Sequence, residues 1–166
     1  EDKSQQGAKE LKKFGFKVSH LKQKALDINQ GFFKRINSNR PYIRAKIAMS
    51  KDGKTSFKNK RNKWITSTAS RNDAQHYRAI SDLIITGSGT LMHDNPSLNV
   101  RNNKIIKTKG FNQPHKAVLI NSSNDLTGMK FFQDKTKKII FTTQGKKFDG
   151  LKKMPNTEIS CKKEKR

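Results

Sequence analysis

The sequence has 166 residues, a mass of 19.0 kDa and a formal net charge of +24, which comes from 37 basic and 13 acidic residues. This length fits one domain with a hydrophobic core, and the single cysteine, Cys161, excludes an intramolecular disulfide and a cysteine-based zinc site. No stretch approaches the ~18 apolar residues of a membrane helix. We therefore expect a cytoplasmic protein without a membrane partner.

The excess of positive charge raises the alternative of nucleic-acid binding. The lysines are scattered along the whole chain, however, and arginine, the better ligand for phosphates and bases, is the minor cation. The sequence contains no recognisable nucleic-acid-binding motif. We expect no specific nucleic-acid partner, and we keep a basic nucleic-acid-binding protein, recognised by steeply salt-dependent binding, as the alternative function.

The first forty residues predict two helices and one short strand. Apolar residues keep helical spacing over residues 8–14, and residues 16–18 form an extended run. A second helical pattern covers residues 21–33 and ends in a polar turn at residues 37–40, ahead of Pro41.

The next forty residues predict a strand, a turn and a helix. Apolar side chains at period two over residues 42–49 indicate a strand, and Lys-Asp-Gly-Lys at residues 51–54 indicates a turn behind it. Ser67 is placed to cap a helix, which we expect to end near Ser81.

The second half of the sequence predicts an α/β sheet. The apolar run at residues 83–86 indicates a buried strand, which opens into a backbone-accessible loop at residues 86–90. Residues 117–120 and 138–141 repeat the strand pattern, and residues 158–161 form one more short strand. Because strands alternate with helices, the sheet is expected to be at least partly parallel.

Three features could carry chemistry, and each has a structural alternative. The glycine-containing loop at residues 86–90 is either an anion cradle or a plain tight turn. Arg78 and Arg101 suit bidentate phosphate binding, or they are solvated surface arginines. Trp64 either stacks on a cofactor ring or covers the core. The four histidines show no metal-ligand spacing, so no metal is assigned.

The stretch from Arg40 to Arg101 resembles the reductase domain of the bifunctional riboflavin biosynthesis deaminase/reductase family, RibD. The resemblance rests on Arg-Pro-Tyr-Ile at 40–43, Lys-Ile-Ala-Met-Ser-Lys-Asp-Gly-Lys-Thr at 46–55, Lys-Trp-Ile-Thr at 63–66, residues 83–90, and Asp-Asn-Pro-Ser-Leu at 94–98. It implies a dihydrofolate-reductase-like fold with a mixed sheet flanked by helices, truncated at the C-terminal side. It also implies that NADPH reduces the ribosyl group of 5-amino-6-(5-phosphoribosylamino)uracil to a ribityl chain.

The same resemblance assigns ligand contacts position by position. The cofactor contacts fall on Ala48, Trp64, Thr90, Asp94 and Ser122. The contacts to the phosphorylated ribosylaminopyrimidine substrate fall on Asn62, Arg78, Leu98 and Arg101. Asn62 stands where the family commonly has serine. No proton donor is assigned, and Asp52 is interpreted as structural or peripheral.

The resemblance also divides the chain. Residues 1–28 resemble the tail end of a deaminase-like domain, residues 29–40 the interdomain linker, and residues 41–166 a partial reductase domain. The zinc-binding stretches of the family's deaminase domain and its later Glu-Gly-Gly loop do not occur in this sequence. We therefore expect a fragment, a chain completed by a separate deaminase polypeptide, or an inactive remnant of the reductase. Family likeness further implies a homodimer.

Overall fold

A computed structural model describes residues 6–19, 29–57, 64–121 and 126–161. The chain divides into two compact units, Glu1–Lys46 and Ile47–Arg166. In the ranges just given, no helix has the length and apolarity needed to cross a membrane.

The described part of the first unit contains two helices, α1 (Gln6–Lys13) and α2 (Gln30–Ser38). The predicted helix at residues 8–14 is confirmed. Helix α2 runs into the predicted polar turn and ends at Ser38. It is capped by Asn39, a left-handed residue with φ 51° whose N–H donates to the carbonyl of Arg35. The predicted strand at residues 16–18 is wrong, because these residues form no regular structure. Residues 20–28 of the second predicted helix lie outside the described residues.

The predicted strand at residues 42–49 is also wrong. These residues have no regular secondary structure, and Ile43, Ile47 and Met49 are 81%, 70% and 57% exposed. Alternating apolar residues show which side chains share a face, but a strand also needs a neighbouring backbone with which to exchange hydrogen bonds. The turn behind this segment is confirmed, since Ser50 N–H donates to the carbonyl of Lys54 around Gly53.

The second unit begins its regular structure with α3 (Thr68–Ala79). Ser67 is the N-cap, as predicted, and its side-chain oxygen accepts a hydrogen bond from the N–H of Ser70 at 3.2 Å. The helix ends where expected, since Ser81 N–H donates back to the carbonyl of Arg78.

Four parallel strands follow: β1 (Leu83–Gly87), β2 (His115–Leu119), β3 (Lys138–Thr142) and β4 (Thr157–Cys161). They pair in the order β1-β2-β3-β4, and this confirms the α/β fold class. The described strands form no antiparallel pair, so the antiparallel part of a mixed sheet is not seen among them. The connections contain helices α4 (Ser88–Asp94) and α5 (Asn103–Ile106), and 3-10 helices at Lys130–Phe132 and Gly145–Lys153.

The hydrophobic core lies on one face of this sheet. Val118 and Ile140 are paired in register on that face, and neither is exposed. The core consists of Leu91, Leu98, Val118, Ile120, Leu126, Phe131, Phe132, Ile140, Phe148 and Leu151. On the other face, Ile85 and Leu119 are each 55% exposed. The prediction that the strand at residues 83–86 is buried is therefore wrong, because β1 is an edge strand with one exposed face.

Candidate functional site

Helix α3 and the segment at residues 98–101 bring three of the predicted substrate residues together. The Nη1 of Arg78 donates a hydrogen bond to the carbonyl of Asn99 at 3.1 Å. One turn earlier on the same helix, the Oε1 of Gln75 accepts from the backbone N–H of Arg101 at 2.7 Å. Leu98 is buried in the core, at 8% exposure. Arg78, Leu98 and Arg101 are thus joined through the backbone of one short segment.

Arg78 and Arg101 form a pair of like charges. Burial lowers the pKa of Arg78, and the positive charge of Arg101 lowers it further. Neither arginine forms an ion pair with a carboxylate among the residues that the structure describes. Two positive charges that act on each other, with no carboxylate ion-paired to either in the described part of the chain, favour an anion with several acceptor oxygens, such as a phosphate.

Thr90 and Asp94 lie on α4, directly after β1. They are four residues apart on the helix, so they share a face, and both are exposed. The predicted loop at residues 86–90 is wrong, since β1 continues to Gly87 and α4 begins at Ser88 without an intervening loop. The space beside Gly87 and Gly89 is open, because no atom beyond the adjacent backbone lies within 4 Å of a Cβ built at either position. Thr90 and Asp94 thus place a hydroxyl and a carboxylate on the exposed surface of α4.

Of the remaining predicted cofactor and substrate residues, the structure describes Trp64 and Ala48. Trp64 is 57% exposed, and the guanidinium of Arg71 lies over its ring at 4.7 Å from the centroid. Trp64 therefore does not cover the core, and its stacking on a cofactor ring stays a prediction. Ala48 is half-buried. Asn62 and Ser122 lie outside the described residues, so their contacts stay predictions.

A buried group of charges, which the sequence analysis missed, lies at the start of β2 and β3. Lys116 and Lys138 are paired in register across these strands, and both are fully buried. The carboxylate of Asp134 forms ion pairs with both lysines and accepts hydrogen bonds from Thr136. A lysine at the start of a strand is typical of a solvated surface, so only the shared register and the acid before β3 could have indicated this cluster.

The two ionisable partners in this group respond to burial in opposite ways. Burial alone would raise the pKa of Asp134, but hydrogen bonds from Lys116 and Thr136 outweigh it and hold that pKa below its ordinary value. Burial lowers the pKa of Lys116, and the neighbouring Arg78 adds to the decrease, while Asp134 opposes it. Arg78 therefore lies within electrostatic reach of Lys116.

Two open depressions lie at the amino-terminal edge of the sheet. One has a volume of about 570 Å³ and is lined by residues that include His115, Lys135 and Glu158. The other has a volume of about 410 Å³ and is lined by residues that include Ser81 and Gln113. Neither is lined by a predicted ligand-binding residue, so neither identifies the candidate site.

Comparison with protein families gives a match over residues 41–163 to the RibD C-terminal domain. A riboflavin biosynthesis protein RibD from Buchnera aphidicola subsp. Baizongia pistaciae is 42% identical over 131 residues, which cover 73% of this chain and 35% of that protein. The Escherichia coli RibD is 40% identical over 97 residues, which cover 57% of this chain and 26% of that protein. The chain therefore spans about a third or less of the length of these curated relatives.

Two solved structures share the fold. Acinetobacter baumannii RibD superposes with a TM-score of 0.75 at 30% identity, over 96% of this chain and 44% of that chain. The deaminase/5-amino-6-(5-phosphoribosylamino)uracil reductase of Thermotoga maritima superposes with a TM-score of 0.68 at 22% identity, over 94% of this chain and 42% of that chain. At 22% identity, the similarity to the Thermotoga maritima structure shows a shared fold alone.

Proposed function

Because the chain belongs to the RibD C-terminal domain family, we propose that it is the reductase of 5-amino-6-(5-phosphoribosylamino)uracil and uses NADPH as its cofactor. The observation that carries the proposal is the pairing of Arg78 with Arg101 beside Leu98. The family resemblance assigns all three positions to the substrate. An uncompensated arginine pair is suited to the phosphate of a phosphorylated sugar.

In the proposed reaction, bound NADPH supplies a hydride to the sugar carbon. The contribution of the protein is to orient two ligands. Arg78 and Arg101 hold the substrate phosphate, and the buried Leu98 forms an apolar wall beside it. Thr90 and Asp94 receive the cofactor on the exposed face of α4, and the family resemblance assigns Trp64 to the cofactor as well.

The domain division is proposed on the same basis. Residues 41–166 form a partial reductase domain, residues 29–40 form the linker, and residues 1–28 correspond to the end of a deaminase-like domain. We further propose that the chain works as a homodimer or together with a separate deaminase chain in the cytoplasm. Size-exclusion chromatography with light scattering, with and without a deaminase polypeptide, tests this part of the proposal.

The proposal is tested by binding measurements on the purified chain at modest salt. NADPH fluorescence should change on titration with the protein, and substrate turnover should consume NADPH. Arg78→Ala should weaken substrate binding about 10- to 100-fold, because it removes a charge-assisted contact, and should leave NADPH binding within about twofold.

The matched control is Lys107→Ala, which removes one exposed positive charge on the same unit without touching the candidate site. It should change neither affinity. Equal losses of substrate and cofactor affinity in Arg78→Ala would show that Arg78 is not a substrate residue. An unchanged NADPH signal at saturating wild-type protein would overturn the reductase assignment itself.

A further inference from the structure

The side chain of Gln113 binds both backbone groups of Val100. Its Nε2 donates to the carbonyl of Val100 at 2.9 Å, and its Oε1 accepts from the Val100 N–H at 2.8 Å. Both bonds are partly buried and join residues 13 positions apart in the sequence. The carboxamide of Gln113 thus pairs with both the backbone N–H and the carbonyl of Val100, as a neighbouring strand would. Val100 itself lies outside the sheet.

The same segment is fixed from its other side by α3. Gln75 accepts from the N–H of Arg101, and Arg78 donates to the carbonyl of Asn99. Three consecutive residues therefore each have a backbone group bound by a side chain from another part of the chain. Val100 is 1% exposed and Arg101 is exposed, so the arrangement holds one side chain in the core and directs the next toward solvent.

The segment that is held in this way carries two unfavourable features. Leu98 has a φ of 56°, in the left-handed region, which costs a branched residue about 1–2 kcal/mol. The side-chain oxygen of Asn99 is buried without a hydrogen-bond partner in the described ranges. Such features persist where surrounding contacts determine the conformation, and they concentrate at ligand-binding segments.

We propose that Gln75 and Gln113 are positioning residues, which form an amide clamp that presents the guanidinium of Arg101 beside Arg78 to a phosphorylated sugar. The inference rests on the proposed function, from which it takes the class of ligand. Neither glutamine contacts the ligand. Both act through Arg101, by fixing the backbone from which its side chain extends, so that less conformational freedom is lost when the phosphate binds.

The test is calorimetric titration of the full chain with ribose 5-phosphate, a probe that carries the phosphate and sugar of the proposed ligand. Gln113→Met and Gln75→Met keep the length of each side chain and remove its hydrogen bonds. Each should weaken ribose 5-phosphate binding about 10-fold, equivalent to about 1.4 kcal/mol, and should leave NADPH affinity unchanged. Asn112→Ala, next to the clamp, is the matched control and should change neither.

A second comparison separates positioning from a general effect on the fold. In an Arg101→Ala background, the methionine substitutions should change ribose 5-phosphate affinity by less than about twofold, because the residue through which they act is gone. Thermal unfolding of each variant identifies any that fails to fold. If only one of the two methionine variants folds, that variant alone, with and without Arg101, is enough for the comparison.

The outcomes distinguish this inference from the proposed function. If Arg101→Ala weakens ribose 5-phosphate binding and both methionine variants bind like wild type, the clamp is refuted and the reductase assignment stands. An equal loss in the presence and absence of Arg101, or unfolding of both methionine variants, shows a purely structural role. If the wild type binds NADPH but not ribose 5-phosphate, the proposed substrate class fails and the clamp fails with it.

Discussion

Two fully buried lysines share one carboxylate at the start of β2 and β3. An isolated buried ammonium group is strongly unfavourable, and Lys116 and Lys138 each form an ion pair with Asp134. Lys138 additionally donates to the backbone carbonyls of Asp134 and Thr136. The turn before β3 is therefore tied to the first residues of two strands.

Asp134→Asn should be strongly destabilising, because it leaves two buried ammonium groups without a counter-charge. Removing one partner of a buried ion pair costs about 3–5 kcal/mol, and urea unfolding measures the change in free energy. Glu158→Gln is the control, since it breaks an exposed ion pair with Lys137 and should cost less than about 1 kcal/mol. If the two variants lost similar amounts of unfolding free energy, the burial of the ion pairs around Asp134 would be contradicted.

The same carboxylate predicts a dependence of stability on pH. The pKa of Asp134 in the folded protein lies below its unfolded value of about 3.9, so folding favours the ionised form. The contribution of this carboxylate to the free energy of unfolding is complete above its unfolded pKa. It decreases as the pH falls toward its folded pKa. The difference in unfolding free energy between wild type and Asp134→Asn should be constant from about pH 5 to 7 and smaller at about pH 3. If the difference in unfolding free energy between the two proteins increased on acidification, the prediction would be contradicted.

At the scale of elements, α3 determines the geometry of the arginine pair. Gln75 and Arg78 are three residues apart and therefore lie on one face of the helix, from which both reach the 98–101 segment. The helix in turn depends on its first turn, where Ser67 satisfies the N–H of Ser70. The cap at Ser67 thus supports α3, the helix from which Gln75 and Arg78 contact the 98–101 segment.

Ser67→Ala should destabilise the protein by about 1 kcal/mol, because an N–H at the helix start loses its partner. Ser67→Asp should restore most of this loss, since aspartate is an equally good N-cap and a favourable charge at a helix N-terminus. Chemical unfolding of the three proteins checks the prediction. If the alanine variant is as stable as wild type, the cap does not determine where α3 begins.

At the scale of the whole molecule, the second unit buries one face of its sheet and leaves much of the other exposed. Ile140 points into the core with no exposure, whereas Ile85, on the opposite face of β1, is 55% exposed. Substitutions of similar residues should therefore have very different effects on the two faces.

Ile140→Ala should cost about 2–5 kcal/mol, because it leaves a cavity in the core. Ile85→Thr keeps a β-branched side chain in the strand and should cost less than about 1 kcal/mol, since little apolar surface returns to water. The midpoints of urea unfolding compare the two directly. A large loss for Ile85→Thr would show that another part of the protein covers this face in solution.

The sequence alone determined several local elements of the second unit. The cap at Ser67, the four short strands and the turn at Gly53 were all predicted, because each depends on neighbouring residues whose pattern is visible in the chain. Arg78 and Arg101 were named as candidates through residue type and family resemblance. Their assignment as ligand contacts, like that of Trp64, Thr90 and Asp94, stays a prediction.

Only the tertiary structure decided which residues meet. It left residues 42–49 without a strand partner, exposed one face of β1, and brought Gln75 and Gln113 to the same short segment from two distant positions. It also buried Lys116 and Lys138, whose charge alone would place them at the surface. Strand pairing, burial and hydrogen bonds between distant side chains depend on contacts across the fold, and a one-dimensional pattern carries no record of those contacts.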